Sequence, residues 1–429
     1  MGLIDKIKKN KWMIKLIFNA KWRDLKKMLK GFKNEGKYYE KEDTHTNMKD
    51  LLKCTLCPNM CRFECPVYRV TQKEMYAPAT KSRISYHMEK SNIPMDDLHT
   101  AEVAYMCTNC DGCQVWCPMD ISTGDLLRGV RADLMDKEIY IPEVKEFEER
   151  VKKNKTSFDS DTFARNDELN VNMDNPQVFY YTGCVMIEKK PEAVKANIEI
   201  LKKANVRFCT FVDERQCCGG PLYTLGFDDT VKEFGKRNLA LLEKSGAKTI
   251  VADCPACVNT IANTYKELGL DHKFEVYTTA QYYKRLIEEG KLKPTEEVNE
   301  TITYHDPCIT VRKLEDHRHI DTGHLDMETR YNPEGFFDSA RYIFSKIPGL
   351  KLEEPFLHGT QTQCCGRGGV SHVHHPEVSD TIGKHRVDQL RETGADMVVS
   401  SCPACEEGFM FNGIEHCYDI SEILLKSLK

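Results

Sequence analysis

The chain has 429 residues, 41% hydrophobic and 30% charged, with a formal net charge of −5. A mildly acidic chain of this length reads as a soluble protein of roughly two to four domains, and its charge gives no basis for nucleic-acid binding. No P-loop or dinucleotide-binding glycine fingerprint is present, and no apolar run has signal-peptide or transmembrane length. Residues 1–45 open with a lysine excess. Leu3, Ile7, Ile14, Phe18, Trp22, Leu25, Leu29 and Phe32 recur at three- and four-residue steps, the pattern of an amphipathic helix or two with a basic polar face. Such a helix can pack on its own neighbouring domain, dock on an acidic partner protein, or lie on a membrane surface. The last would place a cytoplasmic protein peripherally on the inner face of the cell membrane.

Residues 46–140 carry two cysteine runs. Cys54, Cys57 and Cys61 precede Cys65-Pro66, and Cys107, Cys110 and Cys113 precede Cys117-Pro118. The second run has the C-x2-C-x2-C-x3-C-P spacing of a two-cluster ferredoxin, in which three cysteines hold one cubane and the fourth reaches to the other. By that logic Cys54, Cys57, Cys61 and Cys117 hold one 4Fe-4S cluster, and Cys107, Cys110, Cys113 and Cys65 hold a second. The first run has one extra residue between Cys57 and Cys61. Paired zinc knuckles are the alternative. Gly124–Lys137 has a helical pattern. Residues 141–176 read as a helix followed by a charged, Asn/Asp-rich linker.

Beyond residue 176 short β-branched and aromatic runs alternate with helical patterns, which predicts parallel sheets. Val178–Tyr181 leads to Cys184, Thr249–Ala252 to Cys254, Thr301–Tyr304 toward Cys308, and Met397–Ser400 to Cys402. Cofactor sites in such sheets gather at the carboxyl ends of strands. The cysteines recur as two arrays. Cys184, 32 residues, Cys217-Cys218, 35 residues and Cys254-Pro-Ala-Cys257 form the first; Cys308, 55 residues, Cys364-Cys365, 36 residues and Cys402-Pro-Ala-Cys405 form the second. Five thiols exceed the four that a tetrahedral zinc takes and suit a polynuclear iron–sulfur site. Eighteen of the 20 cysteines fall in the four arrays; Cys209 and Cys417 remain as buried small hydrophobes. A disulfide framework suits small secreted domains instead.

The repeat resembles the CCG (cysteine-rich) domain found in the catalytic subunit of heterodisulfide reductase and in iron–sulfur subunits of glycerol-3-phosphate and glycolate or lactate dehydrogenases. The longer first gap of the second array reads as an insertion near 313–330. The resemblance implies an α/β protein: a mostly helical dicluster ferredoxin domain, then two duplicated CCG domains at 177–297 and 298–429. It also implies one non-cubane 4Fe-4S cluster in each complete array, in addition to the two cubanes. Two clusters facing one cleft would reduce a small disulfide, with Cys218 and Cys365 central to catalysis. The coenzyme M–coenzyme B heterodisulfide is an example of such a substrate. Electrons would come from a partner: a flavoprotein, a hydrogenase- or ferredoxin-type protein, or a membrane cytochrome b. The alternative is an electron-relay role in a flavin-dependent glycerol-3-phosphate or glycolate/lactate dehydrogenase linked to quinone.

Ten of the 14 histidines lie from His305 onward. Disulfide reduction takes two protons, and His titrates near neutral pH. His305, three residues before Cys308, is the candidate general acid; His372, His374 and His375 follow the second pair. The competing reading makes each a structural hydrogen-bond partner. Arg312 and Arg367 are candidates for attracting an anionic substrate or for balancing cluster charge.

Overall fold

In the computed structural model the described residues are 44–160, 167–211, 214, 216–314 and 339–429, with Trp22, Leu25 and Lys26. Most of the predicted N-terminal amphipathic helix and most of the predicted insertion lie outside them.

The first region is helical. Its helices are α1 (Met48–Thr55), α2 (Pro66–Thr71), α3 (Pro78–Glu89), α4 (Leu98–Tyr105), α5 (Thr123–Asp136) and α6 (Pro142–Asn154). Local chemistry sets their starts. The Asn47 side chain accepts from the Asp50 amide, the Ser122 side chain accepts from the Asp125 amide, and prolines occupy the first turns of α2, α3 and α6. A cap of this kind contributes about 1 kcal/mol, and proline gives up an amide that a helix start leaves unbonded anyway.

Two four-stranded parallel sheets follow. The first, ordered β2-β1-β3-β4, contains β1 (Val178–Tyr180), β2 (Phe208–Cys209), β3 (Thr249–Ala252) and β4 (Glu275–Thr278). The second, ordered β6-β5-β7-β8, contains β5 (Thr301–His305), β6 (Lys351–Leu352), β7 (Met397–Ser400) and β8 (Cys417–Asp419). The orders are identical, so the cysteine repeat is a repeat of fold. The central strands are buried along most of their length, as parallel sheets covered by helices require.

The register makes positions in the two halves correspond. Tyr180 pairs with Val251 and Tyr304 with Val399, each strand partner three residues before a Cys-Pro-Ala-Cys. Tyr181 therefore corresponds to His305. In the stretch read as a linker, Asn172 makes an antiparallel bridge to Cys209 and covers the outer edge of β2.

The halves are joined through α7 (Cys184–Lys189), α8 (Pro191–Lys203) and the last helix of the chain. Lys190, buried between α7 and α8, donates to the Cys417 carbonyl at 2.8 Å and lies 3.5 Å from Glu406 and 3.3 Å from Glu422. Asn197 donates to Ser421 at 3.1 Å.

Candidate iron–sulfur centre

Cys54 lies in the last turn of α1, Cys57 and Cys61 follow it, and Cys117 comes from the second run. These thiols are neighbours. Burial first, then the electrostatic influence of Cys54, Cys117, Cys57 and Cys65, pushes the Cys61 thiol up to about 12. The thiol of Cys54 lies 3.9 Å from the Thr123 hydroxyl.

Cys65, Cys107, Cys110 and Cys113 line a second, small space together with Lys81. Lys81 is 1% exposed; its Nζ donates to the Met106 carbonyl at 2.6 Å and lies 3.8 Å from Cys65 Sγ. Burial works against the charged amine, but the thiols of Cys65, Cys107, Cys113 and Cys110 outweigh it and raise its pKa. A buried cation needs a buried anion. Thiolates holding an iron–sulfur cluster supply one, so this donor set fits the group.

The two arrays meet in one cleft. A cavity of about 350 Å³ is lined by Cys184, Cys217, Cys218, Cys254 and Cys257 from the first half and by Cys308, Cys365, Cys402 and Cys405 from the second. Each lone or Pro-linked cysteine sits just past a strand end: Cys184 beyond β1, Cys254 beyond β3, Cys308 beyond β5 and Cys402 beyond β7. Cys405 Sγ approaches Cys365 Sγ to 3.2 Å, and the thiols of Cys254 and Cys402 are within hydrogen-bond reach across the halves. None of the 20 cysteines forms a disulfide.

Each adjacent pair is turned by a glycine at positive φ, Gly219 at 87° and Gly366 at 89°. The Gly219 and Gly220 amides point at Cys217 and Cys218 Sγ, both at 3.4 Å, and the Gly366 amide at Cys364 Sγ at 3.3 Å. Hydrogen bonds from Cys217 and Cys257 bring the Cys218 thiol down to about 5. Burial pushes the Cys308 thiol up to about 12.

Cys364 is the array thiol absent from the cleft lining. It lies instead within hydrogen-bond reach of Cys110, in the dicluster region. Gly368 and Gly369 close the same junction: a Cβ on Gly368 would come 2.2 Å from the Thr108 carbonyl, and one on Gly369 2.3 Å from that of Cys107. The spacing of the cysteines carries no hint of this contact.

The cations and histidines have defined places. Arg312 donates to the carbonyls of Cys110, Thr360 and Thr362, and so ties the second half to the dicluster region. Arg367 lines the cleft but is engaged by Glu407 at 2.9 Å and Asp380 at 3.3 Å. His305 is 1% exposed, does not line the cleft, accepts from Arg386 at 3.1 Å and has a ring nitrogen within 4.8 Å of Cys365 Sγ. His372 lines the cleft; burial, with Arg367 and Arg150 nearby, lowers its pKa to about 4. His374 contacts the Gly369 carbonyl, and His375 pairs with Glu102. Cys209 and Cys417 are buried in β2 and β8, outside the cleft lining.

Residues 50–121 match the 4Fe-4S dicluster domain family, and residues 178–262 and 302–409 match the cysteine-rich domain family. The chain is an iron–sulfur oxidoreductase subunit that joins a dicluster domain to two cysteine-rich domains. It is of the heterodisulfide reductase type: it is 29% identical, over 86% of its length and 90% of the relative's, to a subunit of the dihydromethanophenazine:CoB–CoM heterodisulfide reductase of Methanosarcina mazei. It is 27% identical to a subunit of the fumarate reductase (CoM/CoB) of Methanothermobacter marburgensis, over 85% of this chain and 69% of that one. The EtfAB:quinone oxidoreductase of Syntrophomonas wolfei is 25% identical over 78% of this chain and 48% of its own.

Proposed function

We propose that this protein reduces a small disulfide in the cleft between its two cysteine-rich halves, using electrons delivered through the dicluster domain by a partner protein. The observation that carries the reading is the convergence of nine array thiols, from both halves, on one cavity. In this reading Cys54, Cys57, Cys61 and Cys117 hold one cubane, and Cys65, Cys107, Cys110 and Cys113 the other. The two five-cysteine arrays hold one non-cubane cluster each. When bound, the clusters supply one-electron transfer and iron that binds sulfur. The domain division at 46–140, 177–297 and 298–429 belongs to the same reading.

The chain's own residues set the conditions. Phe147, Phe158, Val185, Pro221, Ile309 and Val370 give the cleft apolar walls for a disulfide to pack against. Lys189, exposed at the cleft, offers a cation to an anionic substituent of the substrate. Cleavage consumes two electrons, from the partner, and two protons, drawn from solvent; His372 is neutral at pH 7 and His305 does not line the cleft. The CoM–CoB disulfide is the example that the Methanosarcina mazei relative offers.

The test is to reduce the anaerobically purified protein and add candidate disulfides under EPR. A new paramagnetic signal that needs both substrate and intact arrays supports disulfide reduction. Unchanged spectra with every disulfide, together with reduction of a quinone analogue, would make the chain a relay instead. The similarity to the Syntrophomonas wolfei EtfAB:quinone oxidoreductase favours that second reading.

A further inference from the structure

The two arrays share their thiols but not what surrounds them. At one corresponding position the first half has Tyr181, just past β1, whose hydroxyl donates to the Gln216 carbonyl at 2.7 Å. The second half has His305, with a ring nitrogen within 4.8 Å of Cys365 Sγ and packed edge-on against Phe409 with ring centroids 4.7 Å apart. His305, Cys365 and Cys405 place one ligand-type atom each within 4.8 Å of the others.

Behind His305 stands Arg386, from the helix α9 (Pro376–Arg391), and it is 1% exposed. Its Nε donates to His305 Nδ1 at 3.1 Å, and its Nη1 donates to the Leu357 carbonyl at 3.0 Å and to Gln389 at 2.9 Å. An arginine has no acceptor, so Nδ1 must be the accepting nitrogen and Nε2 carries the proton. The only N–H this ring can offer Cys365 is therefore Nε2–H. Among the described residues Arg386 makes no ion pair with a carboxylate. The nearby acid Asp306 is held by Arg341 at 2.6 Å. The fully buried guanidinium feels the Asp306 carboxylate first and then the thiols of Cys405 and Cys365.

We infer that Arg386 and His305 form a fixed donor relay onto Cys365, which makes the site held by the second array easier to reduce than that held by the first. Resting on the proposed cluster occupancy of both arrays, this assigns His305 and Arg386 as positioning residues. A hydrogen bond or a positive charge at a cysteine sulfur stabilises the more negative, reduced state and raises the reduction potential. The first array has two backbone amides on its adjacent pair. The second has one amide, an imidazole N–H and a buried cation behind it.

The experiment is an EPR-monitored redox titration of the full chain with parallel iron analysis. The signal that disappears in Cys365→Ser identifies the second array. His305→Leu should lower the midpoint of that signal and leave the other array's midpoint in place, while His305→Gln, which keeps an N–H, should restore part of the loss. Arg386→Lys keeps the charge and removes the fixed Nε–H, so it should produce a smaller shift in the same direction. Full iron content with midpoints unmoved in His305→Leu would overturn the inference. If the leucine variant loses the second array's iron, an unmoved midpoint in Arg386→Lys overturns it equally. Wild-type arrays that bind no iron would remove the proposed function and this inference together, an outcome the iron analysis separates from the first two.

Discussion

The two cysteine-rich halves repeat one another down to single hydrogen bonds. Tyr180 donates to Asp253 at 2.7 Å and Tyr304 bonds Ser401 at 2.8 Å, each pair at the same place before a Cys-Pro-Ala-Cys. They diverge in how they are used. The second half alone extends a thiol, Cys364, toward the dicluster region at Cys110, and has an imidazole beside Cys365 where the first half has a tyrosine. A duplicated fold thus supplies two equivalent metal pockets, and a few side chains at its edges make them unequal. Symmetry of ligands does not imply symmetry of role.

Three predictions test that equality in metal and function, and two test it in stability. The largest effect is in metal content. Two equal arrays and two cubanes should give about 16 irons per chain and no zinc under anaerobic conditions; roughly 12 would mean that one half is a remnant. Next, Cys218→Ser and Cys365→Ser should each reduce disulfide turnover to background, measured with an artificial donor. Activity surviving either substitution would mean that one half suffices. Cys110→Ser should abolish electron entry from the physiological partner while sparing turnover driven by a small donor that reaches the cleft. An equal loss with both donors, with an unchanged circular dichroism spectrum, would sink the idea that the dicluster region is upstream.

The two pair-turning glycines give a smaller contrast. Around Gly219 an added Cβ would come no closer than 3.3 Å, to the Val231 side chain, so Gly219→Ala should cost about 1–2 kcal/mol for its left-handed backbone. At Gly366 the added Cβ would also come 2.2 Å from the Ser379 carbonyl, and Gly366→Ala should cost roughly 3 kcal/mol or more in a denaturant melt. Equal losses would show that the second turn can shift.

The smallest effect concerns Asp419, which caps the final helix (Ile420–Lys426) where the first half uses the non-titrating Thr278. Burial raises the Asp419 carboxyl from 3.8 to about 6. Its neutral form is favoured in the folded state, so its contribution to stability is full below about pH 4 and is lost as pH rises through 6. Asp419→Asn should flatten the stability profile across that window by on the order of 1 kcal/mol. A profile with unchanged slope would show that other groups set it.

Much of the fold is legible in the residues alone. The strands and their thiols announce themselves because parallel strands are short, apolar and end at ligand loops. Two features stay hidden. Lys81 lies in α3 among residues with no clean apolar stripe, so it reads as a surface lysine. The approach of Cys364 to Cys110 joins positions far apart in sequence that no spacing relates. Arg386 does leave a trace: it falls in line with Ile382 and Leu390, on the buried face of α9. A cation on an apolar stripe asks for a buried anion, and that question leads to Cys365.

The closeness of the thiols also governs how this protein must be made. Cys365 and Cys405 stand 3.2 Å apart with no disulfide between them, and Cys254 faces Cys402 from the other half. Sulfurs so placed are as ready to join each other as to receive metal. An iron-free chain that meets an oxidant would lock its own ligands into cystine, so filling with iron has to come before any contact with air.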